Sequence, residues 1–138
     1  MALWFETKVK YDKLTDSGME KKVTETYLVD ALSFTEAESR IIECISPRVS
    51  GDFNVSAVKK TKIAEIFHKD AERFWNAKIA FVTLDQNTGI ERKTLNELLV
   101  GARDFEEAKA RIDEGMKGTL ADWEINSLSE SPVLEVFG

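Results

Sequence analysis

The chain repeats itself. Trp4, Gly18, Lys22, Leu28, Val29, Ala31, Phe34, Glu36, Ala37, Arg40 and Ile41 recur 71 positions later as Trp75, Gly89, Lys93, Leu99, Val100, Ala102, Phe105, Glu107, Ala108, Arg111 and Ile112. After one deletion, Asp52, Val55, Ile63, Glu65 and Phe67 meet Asp122, Ile125, Val133, Glu135 and Phe137 at a spacing of 70. A fixed period over the whole length constrains architecture more than any local propensity, because what one half builds the other must build too. Two small domains are conceivable, but Pro and Gly are scarce and no polar linker parts the halves. We read residues 1–138 as a single domain made of two repeats, about 1–70 and 71–138.

Each repeat reads strand, strand, helix, strand, strand. Trp4 to Tyr11 and Met19 to Val29 place aromatic and β-branched residues at period two around Thr15-Asp16-Ser17-Gly18, which predicts a hairpin. Trp75 to Leu84 and Ile90 to Val100 do the same around Asp85 to Gly89, and the two loops read as equal in length. Ser33-Phe34-Thr35-Glu36 and Asp104-Phe105-Glu106-Glu107 are capping boxes. Phe34, Ala37, Ile41 and Ile45, and likewise Phe105, Ala108, Ile112 and Met116, form one apolar helical face. Asp52 to Lys60 with Thr61 to His68, and Asp122 to Leu128 with Pro132 to Phe137, are each expected to be a strand pair or one bent strand. The fold class is α+β: internally duplicated β-β-α-β-β repeats, antiparallel sheets covered by two helices. This layout is similar to pseudo-symmetric single-strand binders of the PC4 or Whirly type.

Composition excludes several classes. With 43% hydrophobic and 32% charged residues and no apolar run near the roughly 18 residues that cross a bilayer, neither a membrane span nor disorder is expected. Met1 to Phe5 lacks a secretory pattern, and Cys44 alone cannot form an internal disulfide, so a cytoplasmic setting is expected. The net charge of -6 opposes nonspecific attraction to polyanions, but the deficit is uneven: 11 basic and 12 acidic residues up to Asp70, against 8 and 13 after it.

Catalytic signatures are missing. His68 has no second His or Cys with which to hold zinc, and it reads as a loop residue. Cys44 has no basic sequence neighbour to activate it. The carboxylates fall on helix faces or beside turns, and Asp52/Asp122 and Glu65/Glu135 recur, which favours structural roles. Gly101, Gly115 and Gly118 do not follow a phosphate-loop spacing, and no Gly-x-Ser-x-Gly elbow is present. No enzyme, cofactor or metal is expected.

What remains is lysine interleaved with aromatics on strands. Lys8, Lys10 and Tyr11, then Lys22, then Lys59, Lys60 and Lys62 are the candidate binding residues, because single-strand binders combine a basic groove with aromatic platforms. The expected function is non-enzymatic binding of single-stranded nucleic acid, DNA first. The alternative is a protein-interaction or small-ligand-sequestering oligomeric module. Trp4, Glu6, Lys8 and Lys10 share a face, whereas the aligned Trp75, Ala77, Ile79 and Phe81 are apolar. The second strand is therefore either central or part of an interface, and a homodimer or higher homo-oligomer is a possible partner state.

The stretches Trp4 to Tyr11, Lys21 to Glu38 and Glu65-Ile66-Phe67, above all Tyr27-Leu28-Val29-Asp30-Ala31-Leu32-Ser33-Phe34-Thr35-Glu36-Ala37-Glu38, resemble an uncharacterised domain-of-unknown-function family of gut Bacteroidales, their mobile elements and phages, including crAss-like phages. The resemblance implies a phage or mobile-element setting inside a bacterial host cell. It transfers no functional residue.

Overall fold

The computed structural model describes residues 3–138; Met1 and Ala2, the first residues of the N-terminal segment read above, lie outside it. The element order is β1 (Trp4–Leu14), β2 (Glu20–Asp30), α1 (Phe34–Ile45), β3 (Phe53–Lys60), β4 (Ile63–Phe67), β5 (Phe74–Leu84), β6 (Glu91–Gly101), α2 (Phe105–Gly115), β7 (Asp122–Ser131) and β8 (Val133–Phe137). The fold is mixed α+β: two helices and eight strands in two sheets of four.

The chain forms two compact units. The first runs to Thr61 and takes back Pro132–Gly138; the second is Lys62–Ser131. Sheet order is β3-β1-β2-β8 in the first and β4-β6-β5-β7 in the second. Two expectations are corrected here. The strand pairs after each helix do not pair with each other, since β3 and β4 enter different sheets, as do β7 and β8. Nor are the sheets purely antiparallel: β8 lies parallel to β2, and β4 parallel to β6. Lys59-Lys60-Thr61-Lys62 is too weak a turn signal to close a hairpin, and Pro132 has no N–H to donate to a ladder, so at both places the chain leaves one sheet for the other.

In the first unit, Phe5, Val9, Tyr27 and Val29 of the sheet bury against Ala37, Ile41 and Ile45 of α1, with Phe53, Val55 and Val58 packed alongside. The cap is as the sequence predicts: the Ser33 hydroxyl accepts from the Glu36 N–H at 3.1 Å. Phe34, on the predicted apolar face, is mostly exposed and meets the Phe5 ring edge-on at 5.1 Å between centroids.

The second unit has Trp75, Ala77, Ile79, Leu98 and Val100 beneath Ala108 and Ile112 of α2 and its C-cap residue Met116. Asp104 accepts from the Glu107 N–H at 2.8 Å, and Glu107 reaches back to the Arg103 N–H at 3.0 Å, which holds its carboxyl below the usual range. Trp75 donates its indole N–H to the Ala102 carbonyl and meets Phe105 edge-on.

These contacts correct the alignment of the first strands. Trp75 does under α2 what Phe5, not Trp4, does under α1. The β-bulges agree, falling between Lys8 and Val9 in β1 and between Lys78 and Ile79 in β5, a spacing of 70. The turn from Leu14 to Glu20 is also one residue shorter than that from Leu84 to Glu91, so the loops are not equal. The face contrast read from the sequence therefore compared an outward face with an inward one. Trp75, Ala77 and Ile79 are apolar because they form the core, and β5 is central in its sheet.

Candidate nucleic-acid interface

In β1, Phe5, Thr7 and Val9 point to the helix and are buried, so Glu6, Lys8, Lys10 and Asp12 occupy the helix-free face. Cross-strand partners share a face. Register then adds Lys22 opposite Asp12, Thr24 opposite Lys10, Thr26 opposite Lys8 and Lys59 opposite Glu6. Leu28 and Thr26 are buried on this face, whereas Lys8, Lys10 and Lys22 are exposed towards the hairpin end. Four predicted lysines thus stand on one surface, and among the described residues none forms an ion pair.

The other three candidates lie elsewhere. Tyr11 is on the helix side, opposite Val23, where its hydroxyl donates to Glu25 at 2.6 Å. That bond to a carboxylate, with burial and the negative charge, pushes its hydroxyl up to about 12. Tyr27 donates to the same oxygen at 3.1 Å, and burial first, then the Glu25 charge, raises it too. Lys60 pairs with Phe5 and so falls on the helix side at the sheet edge, and Lys62 follows β3 into the second unit. The expected aromatic platform beside the lysines is therefore not assembled from Tyr11.

The corresponding face of the second unit differs. Counted from the bulge, Ala80 and Val82 stand where the first unit has Lys10 and Asp12, and Lys93 gives its ammonium to Glu124 at 2.8 Å, which raises its pKa. Lys78, exposed and without an ion pair among the described residues, keeps the place of Lys8, so the two faces differ at the positions of Lys10 and Lys22.

A recess of about 240 Å³ opens where β1 runs past the start of β3. Lys10, Asp12 and Lys22 line it from the hairpin, Asp52 and Asn54 from the β3 side, with Tyr11 and Phe53 between them. Lys10, Tyr11 and Lys22 are among the binding residues the sequence singles out, whereas Asp12, Asp52, Phe53 and Asn54 are not. Their assembly depends on the β1–β3 register, which no local signal encodes.

Other reactive groups are ordinary. Cys44, half-buried on α1, has its thiol pushed up by burial, away from the thiolate a nucleophile needs. His68 follows β4 with a φ of 56°, a turn position. No group of three His, Cys, Asp or Glu among the described residues is placed to hold a metal ion, and no helix is long and apolar enough to cross a membrane.

Comparison with known proteins finds no match among curated proteins and none among solved structures. A family model does match, over residues 3–138, and the chain therefore belongs to the family described as a domain of unknown function, DUF4494.

Proposed function

We propose that this protein is a non-enzymatic binder of single-stranded nucleic acid, DNA in the first instance, and that the strand lies along the helix-free face of the β1–β2 hairpin. One observation carries the reading: Lys8, Lys10, Lys22 and Lys59 share that face and, among the described residues, form no ion pair, although carboxylates outnumber cations in the chain. Surface lysines without partners are open to phosphates, whose counterions they would displace. Glu6 and Asp12 on the same face keep the affinity modest, and the missing platform makes binding mainly electrostatic. Four contacts predict a log–log salt slope of roughly -3 for a single strand. Anisotropy of a labelled single-stranded oligomer across a salt series tests this; a slope near zero would refute it.

The internal duplication belongs to the same reading. Each unit is taken as one copy of β-β-α-β closed by a strand from the other copy, β8 in the first unit and β4 in the second. Likeness to PC4 or Whirly proteins then reduces to one helix on four strands, twice. A phage or mobile-element setting, where accessory proteins of replication are common, suits such a binder. Docking to another protein or a second copy is the alternative, favoured by the exposed apolar residues that flank the hairpin turns, Leu14 and Met19, and Leu84 and Ile90. It predicts binding that ignores the four lysines.

A further inference from the structure

Asp12 and Lys22 sit directly opposite each other in the β1–β2 ladder, yet they form no ion pair, and neither do Lys10 and Asp52 across the same recess. Tyr11 pairs with Phe53 at the end of the β1–β3 ladder and Lys10 faces Asn54, while Asp12 and Asp52, the residues just beyond that last pair, both line the recess. Two ammonium groups and two carboxylates thus surround one opening without neutralising one another. A ligand complementary to that pattern carries negative charge at one end and hydrogen-bond donors at the other.

Resting on the nucleic-acid reading, we propose that this recess receives one base of the bound strand and selects a base that bears an exocyclic amino group. Lys10 and Lys22 meet the adjacent phosphate, while Asp12 and Asp52 accept from the base. An ionised carboxylate has only acceptor sites, so it pairs with the N4 amino group of cytosine, the N6 amino group of adenine or the N1 and N2 hydrogens of guanine. Thymine turns its O4 acceptor towards a carboxylate in the same pose and is repelled. Asn54, with both donor and acceptor, completes the edge. At about 240 Å³ the recess is smaller than the roughly 300–1,000 Å³ of drug-sized sites, which suits one planar ring.

The test compares labelled oligo-dC and oligo-dT of equal length at one low salt concentration and slightly alkaline pH, for the wild type and for a variant carrying Asp12→Asn and Asp52→Asn. The wild type is expected to bind oligo-dC at least fivefold more tightly than oligo-dT. The variant should bring that ratio close to one, with oligo-dT held as well as before or better and an unchanged circular dichroism spectrum. Equal wild-type affinities for the two oligomers, with binding still dependent on Lys8 and Lys10, would overturn the recess and leave the nucleic-acid reading standing. A preference for oligo-dC that survives in the variant would overturn the role of the carboxylates. Binding of neither oligomer would overturn the underlying reading and the recess with it.

Discussion

Lys13 and Lys21 face each other across the β1–β2 ladder near its turn, two ammonium groups on a directly opposed pair with no carboxylate bound to either among the described residues. Like charges opposed in this way destabilise a hairpin by a few tenths of a kcal/mol. Lys21 is on the helix side and its neighbour Lys22 is on the helix-free face, because successive residues of a strand point oppositely. Lys21→Ala should raise the unfolding midpoint slightly and weaken oligonucleotide binding less than twofold. Lys22→Ala should leave stability unchanged and weaken binding at least fivefold. Equal losses of affinity in the two variants would mean that the strand does not choose a face.

Glu25 ties the helix side of the hairpin to pH through its two tyrosines. Tyr11 has a folded pKa of about 12, and Tyr27 is raised as well, against an unfolded value near 10. A tyrosine whose folded pKa is raised is favoured in its neutral form by the fold. That contribution is complete below pH 10 and is lost as pH rises towards 12 and beyond. Phenolate absorbance should therefore emerge mostly above pH 11 and coincide with loosening of the first unit. In Glu25→Gln, Tyr11 should titrate closer to 10, and an unchanged Tyr11 titration would contradict the assigned hydrogen bond.

Arg48 meets β8 at two residues. Its guanidinium donates to both Glu135 oxygens, at 3.0 and 2.8 Å, and lies 5.0 Å from the Phe137 ring centroid, while Phe137 stacks on Tyr27 at 5.5 Å. The pair is about half exposed, so Arg48→Ala should cost only about 1 kcal/mol. Phe137→Ala removes ring contacts on both sides and should cost about 2 kcal/mol, read by urea unfolding. A larger loss for Arg48 than for Phe137 would show that the ion pair, not packing, retains β8.

Gly101 tests close approach and Gly18 tests backbone sign. A methyl at Gly101 would fall on the His68 carbonyl oxygen and 2.5 Å from the Ala71 Cβ, so Gly101→Ala should cost about 3 kcal/mol. Gly18 has open space around it but a φ of 80°, and Gly18→Ala should cost about 1 kcal/mol. Thermal unfolding of both variants checks the order; a reversed order would contradict the fit of β6 against the turn after β4.

Hairpins, caps and helix faces were legible in the sequence because each depends on residues within one turn or one pleat of each other. Ser33 and Asp104 cap as expected, and Ala37, Ile41 and Ile45 face the sheet. Strand partnership after the helices was not legible, since pairing β8 with β2 joins residues about a hundred apart and depends on the whole sheet. Trp4 and Trp75 misled because both are tryptophans in a strand, while the one-residue difference in turn length puts them on opposite faces. Of the seven candidate residues, alternation along β1 and β2 made the common face of Lys8, Lys10 and Lys22 readable. The β1–β3 bulge and register, which bring in Lys59 and exclude Lys60, were not.

The face itself is the central claim, and a salt series on one quadruple variant tests it most directly. Wild-type protein and a variant with Lys8, Lys10, Lys22 and Lys59 all changed to Ala would be titrated against the same labelled single-stranded DNA. The account predicts wild-type binding with a log–log salt slope of roughly -3, reduced in the variant to near zero together with a large loss of affinity at low salt. Wild-type affinity and slope retained in the variant would contradict it.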